Sequence, residues 1–281
     1  MRFRPHTPHV RTIATPAGNR HTRRSGAPPG AGHSRSAPSA DRPGTVQAQE
    51  TFSNYCERIG PGFWDEPLNA WTNLAFAVAA VGAWVLVSRA RGPERRGTIR
   101  ALPVIIFLIF LGSGAYHTTA TRWGAVADTG FIAVYLLYYI VLFVVLFWRL
   151  EWRVAWLAAP LFVGFTLLTA LLADFAGLRG PGMYLSALLA LLLLGGALHF
   201  SADPAVRPYG VQYAAIGLLF AVSLTLRTLD RPLCDLVPFG THFMWHVLNA
   251  CVLYLTARLA VRRWQELHSE SPAPAVAERD G

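Results

Sequence analysis

Long apolar runs alternate with short polar segments along most of this chain. Seven of these runs are long enough to cross a hydrocarbon core of about 30 Å as helices. They cover residues 68–88, 101–119, 125–147, 153–173, 182–200, 211–228 and 241–261. Backbone amides in lipid must be paired within their own segment, and no alternating pattern indicates a barrel. The pattern therefore predicts an all-α integral membrane bundle of seven transmembrane helices.

The two ends of the chain lack this pattern. Residues 1–50 are rich in Arg, Pro, Gly, Ser and Ala, which predicts a disordered N-terminal tail. No apolar core of the signal-peptide kind follows its arginines. We expect one membrane domain over residues 51–264 and a disordered C-terminal tail over residues 265–281.

The composition agrees with a membrane protein, because 53% of the residues are hydrophobic and only 15% are charged. The net charge of +9 does not indicate nucleic-acid binding, since all basic residues are arginines gathered in the N-terminal tail and the loops.

The arginines also predict the orientation of the bundle. Loops one, three and five and the C-terminal end carry eleven arginines, against four in the other loops. Eight arginines in the N-terminal tail argue the opposite way, but long segments translocate regardless of charge. We expect the N-terminus outside and the C-terminus in the cytoplasm.

Five polar side chains fall at the outer ends of the predicted helices, namely Ser113, His117, Asp128, His242 and His246. Each has an ordinary explanation: an interfacial histidine, a serine bonded to its own backbone, or an aspartate cap. Ionisable groups are costly in membrane segments, however, so their recurrence at one depth indicates a site.

The spacing of these residues predicts a metal centre. Ser113 and His117 are four residues apart, as are His242 and His246, so each pair shares a helix face. Three neutral imidazoles leave a fourth position open, as in a catalytic zinc site. Asp128 could then accept a proton from activated water, and Ser113 could stabilise an oxyanion. Alternatively, Asp128 is the fourth ligand of a structural zinc site.

Three segments carry a resemblance to a known family. GSGAYHTTATRWGAVADTGF, THFMWHVLNACVLY and YCERIGPGFWDEPLNAWTNLAF occur in the order and at the helix ends typical of alkaline ceramidases. These enzymes belong to a superfamily of seven-helix membrane hydrolases that includes the progestin and adiponectin receptors. The resemblance spans residues 54–262. It implies an intramembrane zinc amidase that hydrolyses ceramide to a fatty acid and a sphingoid base.

The resemblance assigns roles to the same five residues. His117, His242 and His246 match the zinc ligands. Ser113 matches the serine beside the metal, and Asp128 matches the acidic residue of the water network.

Family enzymes of the eukaryotic type also bind calcium before the first helix. Glu57, Glu66 and Asn69 are the candidate ligands here, but Asn54 and Ile59 replace an expected Asp and Asn. Calcium prefers several oxygen ligands, with carboxylates dominant, and this sequence supplies fewer. These residues either bind calcium or only brace the zinc site.

The resemblance further implies a disulfide between Cys56 and Cys234, both on the predicted outer side, where an oxidising compartment allows one. Cys251 is expected to be a buried, inert thiol. Trp64 and Trp71 are expected in the interfacial aromatic belt.

We expect the partners to be the lipid bilayer and a lipid substrate, either ceramide or another N-acyl lipid, and no nucleic acid. The arginine-only composition favours a microbial plasma membrane, with the site toward the extracytoplasmic face. The main alternative is a receptor-like or structural seven-helix protein with a non-catalytic zinc site. Transport is less well supported, because no pair of broken helices lies in matching halves.

Overall fold

The computed structural model describes residues 55–90, 96–177 and 182–269. The predicted N-terminal tail and residues 270–281 lie outside this range. The described residues form helices and no strands. The helices are α1 Pro67–Thr72, α2 Leu74–Arg89, α3 Arg96–Thr119, α4 Arg122–Phe147, α5 Trp152–Ala155, α6 Ala158–Phe175, α7 Gly182–His199, α8 Arg207–Leu229 and α9 His242–Ser269.

Seven helical spans in the described residues are long and apolar enough to cross a membrane. α1 and α2 together make the first span and α5 and α6 the fourth, while each other helix is a span by itself. This confirms the predicted number of helices and an all-helical, multi-pass membrane protein. The predicted orientation stays a prediction.

α9 is the central helix of the bundle. It packs against α1, α2, α3, α4 and α8, and it is the most enclosed of the seven spans. The span formed by α5 and α6 is the least buried of the seven. The helix that carries His242 and His246 is therefore the one that most other helices surround.

The C-terminal end of the membrane domain differs from the prediction, because α9 continues past residue 264 to Ser269. Trp264 is buried, and Glu266 pairs with Arg262 at 3.1 Å and with Arg263 at 3.3 Å. These pairs lie three and four residues apart, so the polar residues extend the helix where a hydropathy pattern expects a tail.

The start of α4 lies before Asp128, which is therefore not a helix cap. Thr121 caps α4 instead, and its side chain accepts a hydrogen bond from the Gly124 amide at 3.3 Å. α4 approaches α3 closely at Gly112, where an added Cβ would lie only 2.8 Å from the Ala127 carbonyl oxygen. A side chain at this position would separate the two helices next to Ser113.

Candidate metal centre

Three histidines converge at the end of the bundle where α3 ends and α9 begins. His117 lies in the last turn of α3, and His242 and His246 occupy the first two turns of α9. All three are buried, and one ligand atom from each lies within 4.8 Å of the others. The structure thus brings together the three histidines that their spacing singled out.

The hydrogen bonds of two histidines determine which nitrogens face each other. His117 Nδ1 lies 2.6 Å from a Glu66 carboxylate oxygen, which can only accept, so this nitrogen carries the proton. His246 Nδ1 lies 2.9 Å from the Thr72 hydroxyl, which itself donates to the Leu68 carbonyl. His246 Nδ1 is therefore also the protonated nitrogen. The unprotonated Nε2 atoms of His117 and His246 face each other at 3.1 Å.

This arrangement fits a metal ion. Two lone pairs at that distance repel unless a cation lies between them. Two nitrogens bound at about 2.0–2.1 Å to a tetrahedral zinc ion are separated by roughly 3.3 Å. His242 Nδ1 is buried and has no hydrogen-bond partner in the described part of the chain. This nitrogen is therefore also available to a metal ion. The carboxylate behind His117 is the partner that metal-binding histidines usually have.

Aromatic rings enclose the cluster. The Tyr55 ring stacks on His242 with centroids 3.6 Å apart, and Phe76 meets His246 at 5.9 Å. The Tyr55 hydroxyl is hydrogen-bonded to Arg227, and burial raises the pKa of this phenol. The phenol is therefore neutral at physiological pH and seals one side of the centre.

Ser113 and Asp128 lie together beside the cluster. Ser113 is buried one turn before His117, and its hydroxyl donates a hydrogen bond to the Asp128 carboxylate. Asp128 is only partly buried and is close enough to both His117 and Arg227 to interact with them. The close approach of α3 and α4 at Gly112 makes this contact possible.

Glu66 connects the cluster to the segment before α1. One carboxylate oxygen accepts from Arg58 Nε at 2.5 Å, and the other accepts from the Asn69 amide at 3.2 Å as well as from His117. Burial alone would raise the pKa of Glu66, but the hydrogen bonds from His117 and Arg58 and the charge of Arg58 outweigh it and lower the pKa. Glu66 is thus held ionised behind His117.

The residues considered for calcium do not fit that ion. Glu57 uses its two carboxylate oxygens to accept from the backbone amides of Leu68 at 2.5 Å and Asn69 at 2.9 Å, so it caps α1. Burial raises the pKa of Glu57, although these two hydrogen bonds oppose the shift. Glu66 is already paired with Arg58 and His117. The alternative, in which these residues brace the histidine cluster, agrees with the contacts.

A disulfide and a buried aspartate fix the start of α9. The structure contains the Cys56–Cys234 disulfide that the resemblance implied, with Cα atoms 5.3 Å apart. Asp230 accepts from the backbone amides of Cys56 at 2.9 Å, Thr241 at 2.6 Å and His242 at 2.8 Å. These contacts hold the segment containing Tyr55 against the helix that carries two of the histidines.

Sequence reasoning missed Arg58, Asp230 and Thr72, since their partners are distant in sequence or lie across a helix interface. Arg227 was counted as a loop arginine, but it lies in α8 with its guanidinium 4.6 Å from the Tyr184 ring centroid. The sequence signal for Arg227 was its position at the edge of an apolar segment. Cys251, expected to be buried, is exposed.

Comparison with known protein families and with curated proteins finds no match for this chain. Fold and site together define a multi-pass membrane protein with a buried three-histidine cluster that can hold a metal ion.

Proposed function

We propose that this protein is an intramembrane zinc-dependent amidase of the alkaline ceramidase type, which hydrolyses the amide bond of ceramide or a related N-acyl lipid. The observation that carries the proposal is the pairing of the histidine cluster with the hydrogen-bonded Ser113 and Asp128, one helical turn from His117. A site that only binds a metal ion has no need of a serine beside its ligands.

The proposed reaction divides among these side chains. His117, His242 and His246 would hold a zinc ion, which would supply a Lewis acid to lower the pKa of water and polarise a carbonyl group. Asp128 accepts the proton of the attacking water and returns it to the leaving nitrogen. The C–N bond then breaks, giving a fatty acid and a free amine. Once Asp128 is protonated, the Ser113 hydroxyl donates its hydrogen bond to the oxyanion of the tetrahedral intermediate instead of to Asp128.

The position of the centre supports a lipid substrate. It lies at one end of the spans, near the exposed indoles of Trp64 and Trp71, whose ring centroids are 6.2 Å apart. Such indoles are typical of the membrane interface. The amide of an N-acyl lipid lies at the same depth, between its polar head and its acyl chain.

The acyl chain needs apolar space near the histidines. An interior cavity beside Asn249 measures about 60 Å³, which has room for a few water molecules only. Farther along the bundle, Tyr139 and Tyr213 close the interior with a 2.7 Å hydrogen bond. A groove of about 450 Å³ runs between α2 and α9 and includes Val247, which directly follows His246. We assign the acyl chain to this groove.

A second candidate function is a receptor-like or structural protein in which zinc only ties helices together. The proximity of Asp128 to His117 favours this candidate as well, because a carboxylate can complete a closed zinc site. The two candidates differ in what Asp128 does. It is a base in the amidase and a ligand in the structural site.

The test compares the wild type with Asp128→Asn in detergent, using zinc content and fatty acid release from ceramide and other N-acyl lipids. The amidase predicts release by the wild type, with a loss of about 10²–10⁴-fold in the variant and unchanged zinc. Asp174→Asn is the matched control, since this aspartate is exposed at the end of α6. Loss of zinc in Asp128→Asn would support the structural site, and no release from any N-acyl lipid would contradict the amidase.

A further inference from the structure

The Arg58 side chain is only 2% exposed, although no membrane helix contains it. Its guanidinium donates to four oxygen atoms. They are Glu66 Oε1 at 2.5 Å and the backbone carbonyl oxygens of Gly60 at 3.3 Å, Gly62 at 3.0 Å and His117 at 2.8 Å. A buried cation here is thus surrounded by one carboxylate and three carbonyl groups.

This set of acceptors has the chemistry of a divalent cation site. Carboxylate and backbone carbonyl oxygens are the ligands that calcium takes in proteins. A guanidinium differs in offering five N–H groups in a planar fork, which suits acceptors at hydrogen-bond distance around its rim. Arg58 therefore occupies the space in which the oxygens converge.

We propose that Arg58 is the fixed cation of this site and a positioning residue for the metal centre. Its guanidinium replaces a divalent ion among the four oxygens, and it orients Glu66, and through Glu66 the His117 ring, without any second metal. The inference rests on the histidine cluster of the proposed function but not on the amidase reaction.

Two contacts make Arg58 act on His117. The guanidinium fixes one oxygen of Glu66, which leaves the other oxygen 2.6 Å from His117 Nδ1. It also binds the His117 backbone carbonyl at the last turn of α3. Both the ring and the backbone of one ligand thus depend on a single cation. Loss of such supporting partners typically weakens metal binding about 10–100-fold.

The experiment measures zinc affinity and unfolding temperature of the purified full chain, with added calcium or a calcium chelator. The wild type is expected to respond to neither addition. Arg58→Ala is expected to bind zinc about 10–100-fold more weakly, and millimolar calcium should restore part of that affinity by entering the vacated oxygens. Arg58→Lys keeps the charge and should fall between the two. Arg258→Ala, an exposed arginine on α9, is the matched control.

If added calcium changes the zinc affinity or the unfolding temperature of the wild type, the proposal that Arg58 replaces a divalent ion is wrong. Equal zinc affinity in Arg58→Lys and Arg58→Ala, or no calcium response in Arg58→Ala, would overturn the cation role. Neither readout uses amide hydrolysis, so failure of the amidase would leave this test intact. If Arg58→Ala does not fold, the calcium response of the wild type and the zinc affinity of Arg58→Lys still decide the proposal.

Discussion

His117 and His246 each have Nδ1 bound by a neighbour, and this leaves Nε2 of both rings facing the same point. The sequence predicted the histidines, because residues four apart share a helix face. It offered Glu66 as a residue that braces the zinc site, but it predicted neither the contact of Glu66 with His117 nor the role of Thr72. Glu66 and His117 are 51 residues apart, and Thr72 and His246 are 174 apart, so no local pattern connects them.

Ser113→Ala tests the serine next to the ligands. Removal of its hydroxyl should lower amide hydrolysis about 10²–10³-fold, because the oxyanion loses a donor. Zinc content should not change, since Ser113 is not a ligand in the proposed site. Ser186→Ala is the control, a buried serine on α7 that donates to the Met183 carbonyl at 2.6 Å. Equal activities of the two variants would remove Ser113 from the proposed reaction.

The contact between α3 and α4 positions Ser113 against Asp128. Gly112 and Ala127 precede these two residues and mark a point where the two helices approach closely. The sequence predicted that Ser113 and Asp128 lie at the same depth, but it did not predict their contact. Helix packing depends on side-chain volume at the interface and not on hydropathy.

Gly112→Ala is expected to move α3 and α4 apart. The added Cβ would lie 2.8 Å from both the Ala127 oxygen and the Phe131 ring, and overpacking of this kind costs about 1–3 kcal/mol. Thermal unfolding and amide hydrolysis in the same detergent check the effect. Gly114→Ala on the same helix meets no atom within 4 Å and should be neutral or slightly stabilising. Equal behaviour of both variants would contradict the close approach.

The groove between α2 and α9 gives a prediction for chain length. Cys251→Trp places a large ring in this groove, so hydrolysis of long-chain N-acyl lipids should fall about tenfold relative to short-chain ones. Val211→Trp adds the same ring at an exposed position on α8 and serves as the control. An unchanged chain-length profile in Cys251→Trp would place the acyl chain elsewhere.

At the scale of the whole molecule, the number of spans in the described residues was predictable from the sequence. In lipid, only helices satisfy the backbone hydrogen bonds of such long apolar runs. The C-terminal boundary was not, since the Arg262 and Glu266 pair extends α9 beyond the apolar pattern. The central place of α9 was also not predictable, because its surroundings depend on the packing of five other helices.

The orientation of the bundle is testable by reporters joined to the C-terminus. The arginine distribution of eleven against four predicts a cytoplasmic C-terminus, where a fluorescent protein is active and alkaline phosphatase is not. The Cys56–Cys234 disulfide lies at the end that carries the metal centre, and disulfides persist in oxidising compartments. Active phosphatase at the C-terminus would reverse the orientation.

The measurement that tests the central claim most directly is the metal content of the purified wild type and of His242→Ala by mass spectrometry. The proposed zinc site predicts about one zinc ion per chain in the wild type and its loss in the variant, because the variant lacks one of the three proposed imidazole ligands. His199→Ala, which changes an exposed histidine at the end of α7, should keep its zinc. A wild type purified without metal, or equal zinc in His242→Ala, would contradict the metal centre.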